Sequence, residues 1–275
     1  MLRCSVSLDE RGFALISALV LAIVIGGVLI SVQMLTRNIA EQSSDIADEA
    51  ELRAGLTAGL NRMIYSYAAT NDPLRVTLVP DGRPVRWQFD SKKLTLRVQA
   101  ESGKWDLNSG DRDHIAALLG NLVDDQSVRL RVMAQIDDAR SRRTPILSVS
   151  SVLTPLERMT EQHKVFEDHF TVATDQVGVD PLTAPEETLL AIKELSDTLR
   201  RDLLRARAEG RGLPDSIGNS FGRLFVGEKS IYAFRAETAE GFRRNGAMQA
   251  VVSFSDQGAI SIFSWTRTGM SSAGG

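Results

Sequence analysis

Three short stretches hold the residue types from which chemistry is usually built. "GNSFG" (218–222) has the G-x-S-x-G form of a hydrolase elbow around Ser220. Such an elbow needs a strand before it, a helix after it and a triad histidine later in the chain. Here "GLPDSI" precedes it and the last histidine is His169, so a glycine-rich turn re-entering a sheet is the better reading. His163 and His169 lie near Glu167 and Asp168. Their spacing suits one helix face poorly, and zinc wants three or four ligands. "DLNSGDRD" gathers oxygens at Asp106, Asn108, Asp111 and Asp113. Counted from Asp106, an EF-hand would need glycine at loop position six and an acid at position twelve, where Asp111 and Ala117 stand. A helix cap is the simpler use of these side chains, with a calcium ion held in some other geometry as the alternative; no metal or cofactor is assigned.

The bulk properties narrow the field further. The 275 residues carry a formal net charge of −3. Cys4 is the single cysteine, which excludes an intramolecular disulfide. From Trp105 to Asp215 acids outnumber bases, and Arg200, Arg201, Arg205 and Arg207 interleave with Asp197, Asp202 and Glu209. Duplex binding is dominated by phosphate neutralisation, so no nucleic-acid partner is expected.

The elements that would position these residues begin with an uncharged run from Phe13 to Val32. As a helix it can cross a bilayer core of about 30 Å, and it is longer than the apolar region of a cleaved secretory signal. Arg3 and Arg11 favour a cytoplasmic N-terminus. Ile39, Ile46, Leu56, Leu60, Met63 and Ile64 continue the helical spacing to about Ala69, where Asn71, Asp72 and Pro73 stop it. "VRWQFD" and "LTLRV" alternate as a strand pair. Helical text then fills 105–215, before strands return in "IYAFRAET", "AMQAVVSF" and "ISIFSW". An antiparallel sheet interrupted by helices reads as an α+β fold with an insertion.

Inside the insertion a weak repeat aligns "DLNSGDRDHIAAL" from Asp106 with "DPLTAPEETLLAI" from Asp180. Asp106, Asn108 and Ser109 form the first capping motif; Asp180, Thr183 and Glu186 form the second, a capping box. Each copy is expected to be an extended turn feeding a capped amphipathic helix.

The junction "RGFALISALV", a short polar leader followed by glycine, phenylalanine and an apolar run, resembles the type III signal of type IV pilins and pseudopilins. The resemblance implies that a prepilin peptidase cuts between Gly12 and Phe13 and that Phe13 is then N-methylated. Most of those families carry glutamate at the fifth mature position, where this chain has Ser17. A charge in hydrocarbon costs about 3 kcal/mol or more unless paired, so the family's glutamate seeks a neighbour ahead and a serine does not. Ser17 thus implies a tip. With the paired "DLN…LL" and "VDPLTAPEETLLAI" motifs and "SVSSVLTPLERMTEQHKVFEDHFTV", the chain resembles the K-type minor pseudopilins of type II secretion systems from Arg11 to Trp265.

That resemblance implies a non-enzymatic inner-membrane protein with a periplasmic head. Its partners would be the I-type and J-type minor pseudopilins, with the major pseudopilin below the tip and secreted substrates or the secretin as further contacts. The expected organisation is a leader at 1–12, a helix at 13–70 (membrane-spanning over 13–32), a pilin-like sheet domain at 71–104 and 216–266, an inserted helical domain at 105–215 and a flexible tail at 267–275. A minor pilin priming a type IV pilus is the nearest alternative; a membrane-anchored periplasmic hydrolase and a DNA-binding module are the alternatives of another class.

Overall fold

A computed structural model describes residues 8–69, 71–153, 160–218, 221–227, 229–255 and 257–272; for 8–16, 160–164, 215–216 and 268–272 the description is of the backbone. The chain divides into two units, Met1–Arg53 and Ala54–Gly275. Helix α1 (Leu8–Ala68) runs through the boundary. It begins before the expected Phe13, because Leu8–Gly12 holds no proline and a single glycine to interrupt the helical bonds. The short helix α2 (Pro73–Thr77) follows, with the Asp72 carboxylate accepting from the Leu74 N–H as its N-cap. "NDP" therefore ends one helix and opens another.

Strands β1 (Val85–Phe89) and β2 (Lys92–Ala100) form a hairpin whose two-residue turn holds Asp90 at φ 54°. Next come a 3-10 turn (Glu101–Gly103), β3 (Trp105–Asp106), α3 (Arg112–Leu122) and α4 (Gln126–Ser141). A second 3-10 turn (Val149–Val152) leads to α5 (Thr160–His169) and β4 (Phe170–Thr171). Helices α6 (Glu186–Leu190), α7 (Asp197–Ala208) and α8 (Asp215–Gly218) complete the insertion. Strands β5 (Ile231–Glu240), β6 (Arg244–Phe254) and β7 (Ile260–Ser272) close the chain. β7 carries residues 267–272, expected as a frayed tail, into the sheet, where they pair with Arg244–Met248.

The sheet is antiparallel in the order β1-β2-β5-β6-β7. β2 and β5 are neighbours, with Ala100 opposite Tyr232, so the insertion leaves and returns at one point. Residues 54–68 of α1 cover one sheet face. Leu56, Leu60 and Met63 are fully buried, as are Leu94, Leu96, Val98, Phe234, Ala236, Ala250 and Val252. Burying each such large side chain contributes roughly 1.5–3 kcal/mol. Tyr67 meets Tyr232 and Phe234 edge-on at 4.7 and 5.3 Å, and its hydroxyl donates to the Leu78 carbonyl at 2.7 Å.

The insertion has a core of its own. Trp105, Ile115, Leu118, Leu119, Ile136, Phe166, Phe170, Leu189, Ile192 and Leu203 are buried in it. Two-residue strands are too short for an alternation to be read, which is why β3 and β4 hide in a stretch that reads as helical.

Candidate functional site

Gly12 and Phe13 lie within α1, and Ser17 is exposed. Every large apolar residue from Leu19 to Val32 is 51–66% exposed. Ile39 and Ile46, at 57% and 70%, continue the stripe. Monomeric soluble proteins rarely present so large a contiguous apolar surface. Among the described residues α1 is the one helix long and apolar enough to cross a membrane, and such a single N-terminal helix is compatible with an anchor.

The two repeat motifs fold into one local structure. In the first, the fully buried Asp106 accepts from the Asn108 and Ser109 N–H groups at 2.8 and 3.2 Å, and Gly110 N–H donates to the Asp106 carbonyl. In the second, Asp180 accepts from Leu182 N–H at 3.0 Å, and Ala184 N–H donates to its carbonyl. The residue before each aspartate is joined in parallel to a later phenylalanine, Trp105 to Phe170 and Val179 to Phe225. Each of those phenylalanines touches the one four residues before it: Phe166–Phe170 at 5.5 Å and Phe221–Phe225 at 5.3 Å. An arginine from the copy's second helix donates to the turn carbonyl. Arg140 reaches Gly110 at 2.9 Å and Arg207 reaches Ala184 at 2.6 Å. The arginines and phenylalanine pairs escape the sequence alignment, although "FEDHF" and "FGRLF" share their spacing.

These are aspartate-anchored turns, and they correct the expected caps. Ser109 donates its hydroxyl to Gln176 O at 3.0 Å, while α3 is capped by Asp111, which accepts from Asp113 N and His114 N. Thr183 donates to the Asp180 carboxylate at 2.9 Å, and its own N–H is taken by Asp180 O. No capping box with Glu186 forms; α6 starts after Pro185, which offers no side-chain bond. Glu186 still stands in the first turn, where a carboxylate favours the helix dipole. Asn108 exchanges two bonds with Ile146, one from each end of its amide.

The spacing of the sequence carries no signal for His114. Its Nδ1 lies 2.7 Å from Asp111 Oδ1 and its Nε2 3.0 Å from Glu194 Oε2, with the ring stacked on Trp105. The three residues join α3 to the segment after α6. Burial alone would raise the Asp111 carboxyl, but the bonds from His114 and the backbone hold it below its ordinary value. The hydrogen bond from His114 lowers Glu194 too.

The other candidate chemistry is dispersed. Ser220 of the elbow motif lies outside the described residues, as does the His163 side chain. His169 is buried with Nδ1 3.0 Å from Thr188 Oγ1, and burial lowers its pKa. Among the described residues no group of three or more His, Cys, Asp or Glu could hold a metal ion. Asp106 is engaged by backbone donors and Asp113 is exposed, so the "DLNSGDRD" oxygens do not share one task. In the basic run, Arg200 pairs with Asp197, and Arg207 also approaches Asp81 at 3.4 Å.

A long N-terminal helix on an antiparallel sheet, with a helical insertion between neighbouring strands, is a pilin-like α+β fold. No protein-family model and no curated protein matches the chain. Among solved structures, it is similar to a chain of the GspK-GspI-GspJ complex from the enterotoxigenic Escherichia coli type 2 secretion system. The TM-score is 0.51 at 9% identity, over 84% of this chain and 99% of that one. At that identity the likeness is one of fold.

Proposed function

We propose that this chain is a minor pseudopilin of a type II secretion system, of the K-type, without enzymatic activity. The observation that carries the reading is the likeness to a chain of the GspK-GspI-GspJ complex over nearly its whole length. The exposed apolar helix supports it independently. A prepilin peptidase cuts between Gly12 and Phe13, Phe13 is methylated, α1 anchors the subunit in the inner membrane, and the head lies in the periplasm. The subunit joins I-type and J-type minor pseudopilins through its N-terminal helix and begins and caps the pseudopilus above the major pseudopilin. Ser17 supports the end position, because it leaves no carboxylate to pair with a subunit ahead. The insertion widens the head and hinders stacking above it.

The test is processing. In cells with active prepilin peptidase the mature chain begins at Phe13, and Gly12→Ala leaves an uncut membrane form and stops export of folded protein. Normal processing of Gly12→Ala would overturn the cleavage assignment.

A further inference from the structure

β7 ends the sheet order and pairs along one side with β6; among the described residues nothing pairs with its other side. β1, at the opposite edge, has five residues, and β7 has thirteen. Proteins blunt their sheet edges with short strands, proline, charged side chains or bulges. β7 has no proline, its one charged residue is Arg267, and its register shifts at two places, so most of its length from Ile260 to Thr266 is uncharged. Ile260, Ile262, Phe263 and Trp265 are 40–60% exposed along it. The register shifts between Val251 and Val252, which leaves Phe263 as the extra residue of a bulge. Bulges re-aim the side chains they carry.

Phe263 borders a groove of about 190 Å³ whose other wall is Leu147, Val149, Phe170 and Val172. Leu147, at its rim, is 83% exposed. The volume falls below the ~300–1,000 Å³ of small-molecule sites and suits one or two side chains. Three ionisable groups line it: Glu101, Lys104 and Glu167. Glu101 and Lys104 neutralise each other at 2.6 Å and are buried, and the Thr171 hydroxyl donates to the other Glu101 oxygen. Glu167 is half-buried and forms no ion pair among the described residues, so the ionisable groups described in the lining sum to one negative charge, on which Lys104 and Arg235 act as the nearby cations. Burial raises the Glu167 carboxyl; a cation placed beside it would form a charge-assisted bond.

The geometry points to β7 and this groove as a docking surface for an extended segment of a partner protein. The segment pairs with the open side of β7 and sends an apolar side chain and a lysine or arginine into the groove, beside Phe170 and Glu167. Main-chain bonds to an open edge supply affinity, and alternate side chains supply specificity. The inference is independent of the chain's place in a secretion machine.

The test uses the full chain in detergent micelles and labelled synthetic peptides of alternating threonine and valine, read by fluorescence anisotropy. The probes carry lysine at the centre, glutamate at the centre, or the central lysine with alternate residues replaced by proline. The lysine peptide is expected to bind roughly tenfold more tightly than the glutamate peptide, and the proline peptide not to bind. Glu167→Gln, which keeps the side-chain shape, is expected to erase the preference for lysine, while Phe263→Ser weakens both unmodified peptides. Equal binding of the lysine and glutamate peptides, a lysine preference that survives Glu167→Gln, or binding of the proline peptide would each overturn the proposal. So would sedimentation as a dimer that Ile262→Arg dissociates, since β7 would then be covered by a second copy.

Discussion

In the first turn of the insertion, the second carboxylate oxygen of Asp106 reaches across the chain. It accepts from Thr174 N–H at 3.0 Å, Thr174 Oγ1 at 3.1 Å and Asp175 N–H at 2.9 Å. In the second turn, the corresponding oxygen of Asp180 accepts from Thr183, inside its own turn. The position two before each aspartate also differs. In the first copy it is Lys104, buried against Glu101; in the second it is Gly178, where an added Cβ would lie 2.1 Å from Leu224 O. Both turns have long-range backbone bonds, Asp180 N–H to Ser102 O among them, but Asp106 adds distant donors to its carboxylate, whereas the second turn adds a close backbone approach at Gly178. One local plan therefore tolerates two ways of being tied down.

The sharpest way to break this contrast is to delete the two carboxylates. Asp106→Ala strands several buried donors, each costing about 1–3 kcal/mol when unpaired, and is expected to destabilise the full chain by at least about 3 kcal/mol. Asp180→Ala is expected to cost about 1–2 kcal/mol. Urea titrations of the two variants decide it, and equal losses would erase the distinction. Gly178→Ala is expected to cost about 2–3 kcal/mol through overpacking against the Leu224 carbonyl. Gly110→Ala probes the same effect in the first copy, because its Cβ would stand 2.5 Å from Asp106 O although the matching residue is Ala184. Thermal melts that leave Gly178→Ala unchanged would show that the parallel bridge can relax. Replacing Arg207 by Met is expected to cost about 1–2 kcal/mol by releasing the Ala184 carbonyl, and replacing Arg140 by Met at least as much, because it releases the Leu107 and Gly110 carbonyls and a longer bond to Asp106 O.

The smallest effect concerns acid. The carboxyls of Asp111 and Glu194 are held below their ordinary values of 3.8 and 4.5. Their contribution is present above those values and is lost as pH falls through the lower folded-state values. Both side chains are more than a third exposed, so screening keeps the effect modest. His114→Gln is expected to flatten the stability profile below about pH 4.5; an unchanged acid limb would remove His114 from the linkage.

Much of this frame is legible in the residues. The alternation of Val85, Trp87 and Phe89 and of Leu94, Leu96 and Val98 marks β1 and β2, and the apolar spacing through Leu56, Leu60 and Met63 marks the buried face of α1. The turns are legible as a repeat, but the roles of their polar residues are not. Ser109 and Thr183 have the spacing of caps, yet which amide a hydroxyl or carboxylate meets is decided by which amides remain free. Parallel pairing with Phe170 and Phe225, dozens of residues later, decides that. Asp111 and Asp125 both cap their helices by accepting two N–H groups, a local use that a run such as "DLNSGDRD" cannot assign to one aspartate over another. The end of β7 is hidden because Gly269 and the serines beyond it carry no alternation, while pairing with β6 extends the strand to Ser272.

The proposed assembly role is tested most directly by isolating the full chain from solubilised membranes together with candidate I-type and J-type minor pseudopilins. The expected result is a complex with one copy of each, lost when the apolar stripe is broken by Ile39→Asp and Ile46→Asp. A chain that purifies alone, or copies of it stacked one above another along a filament, would contradict a subunit that leads the stack.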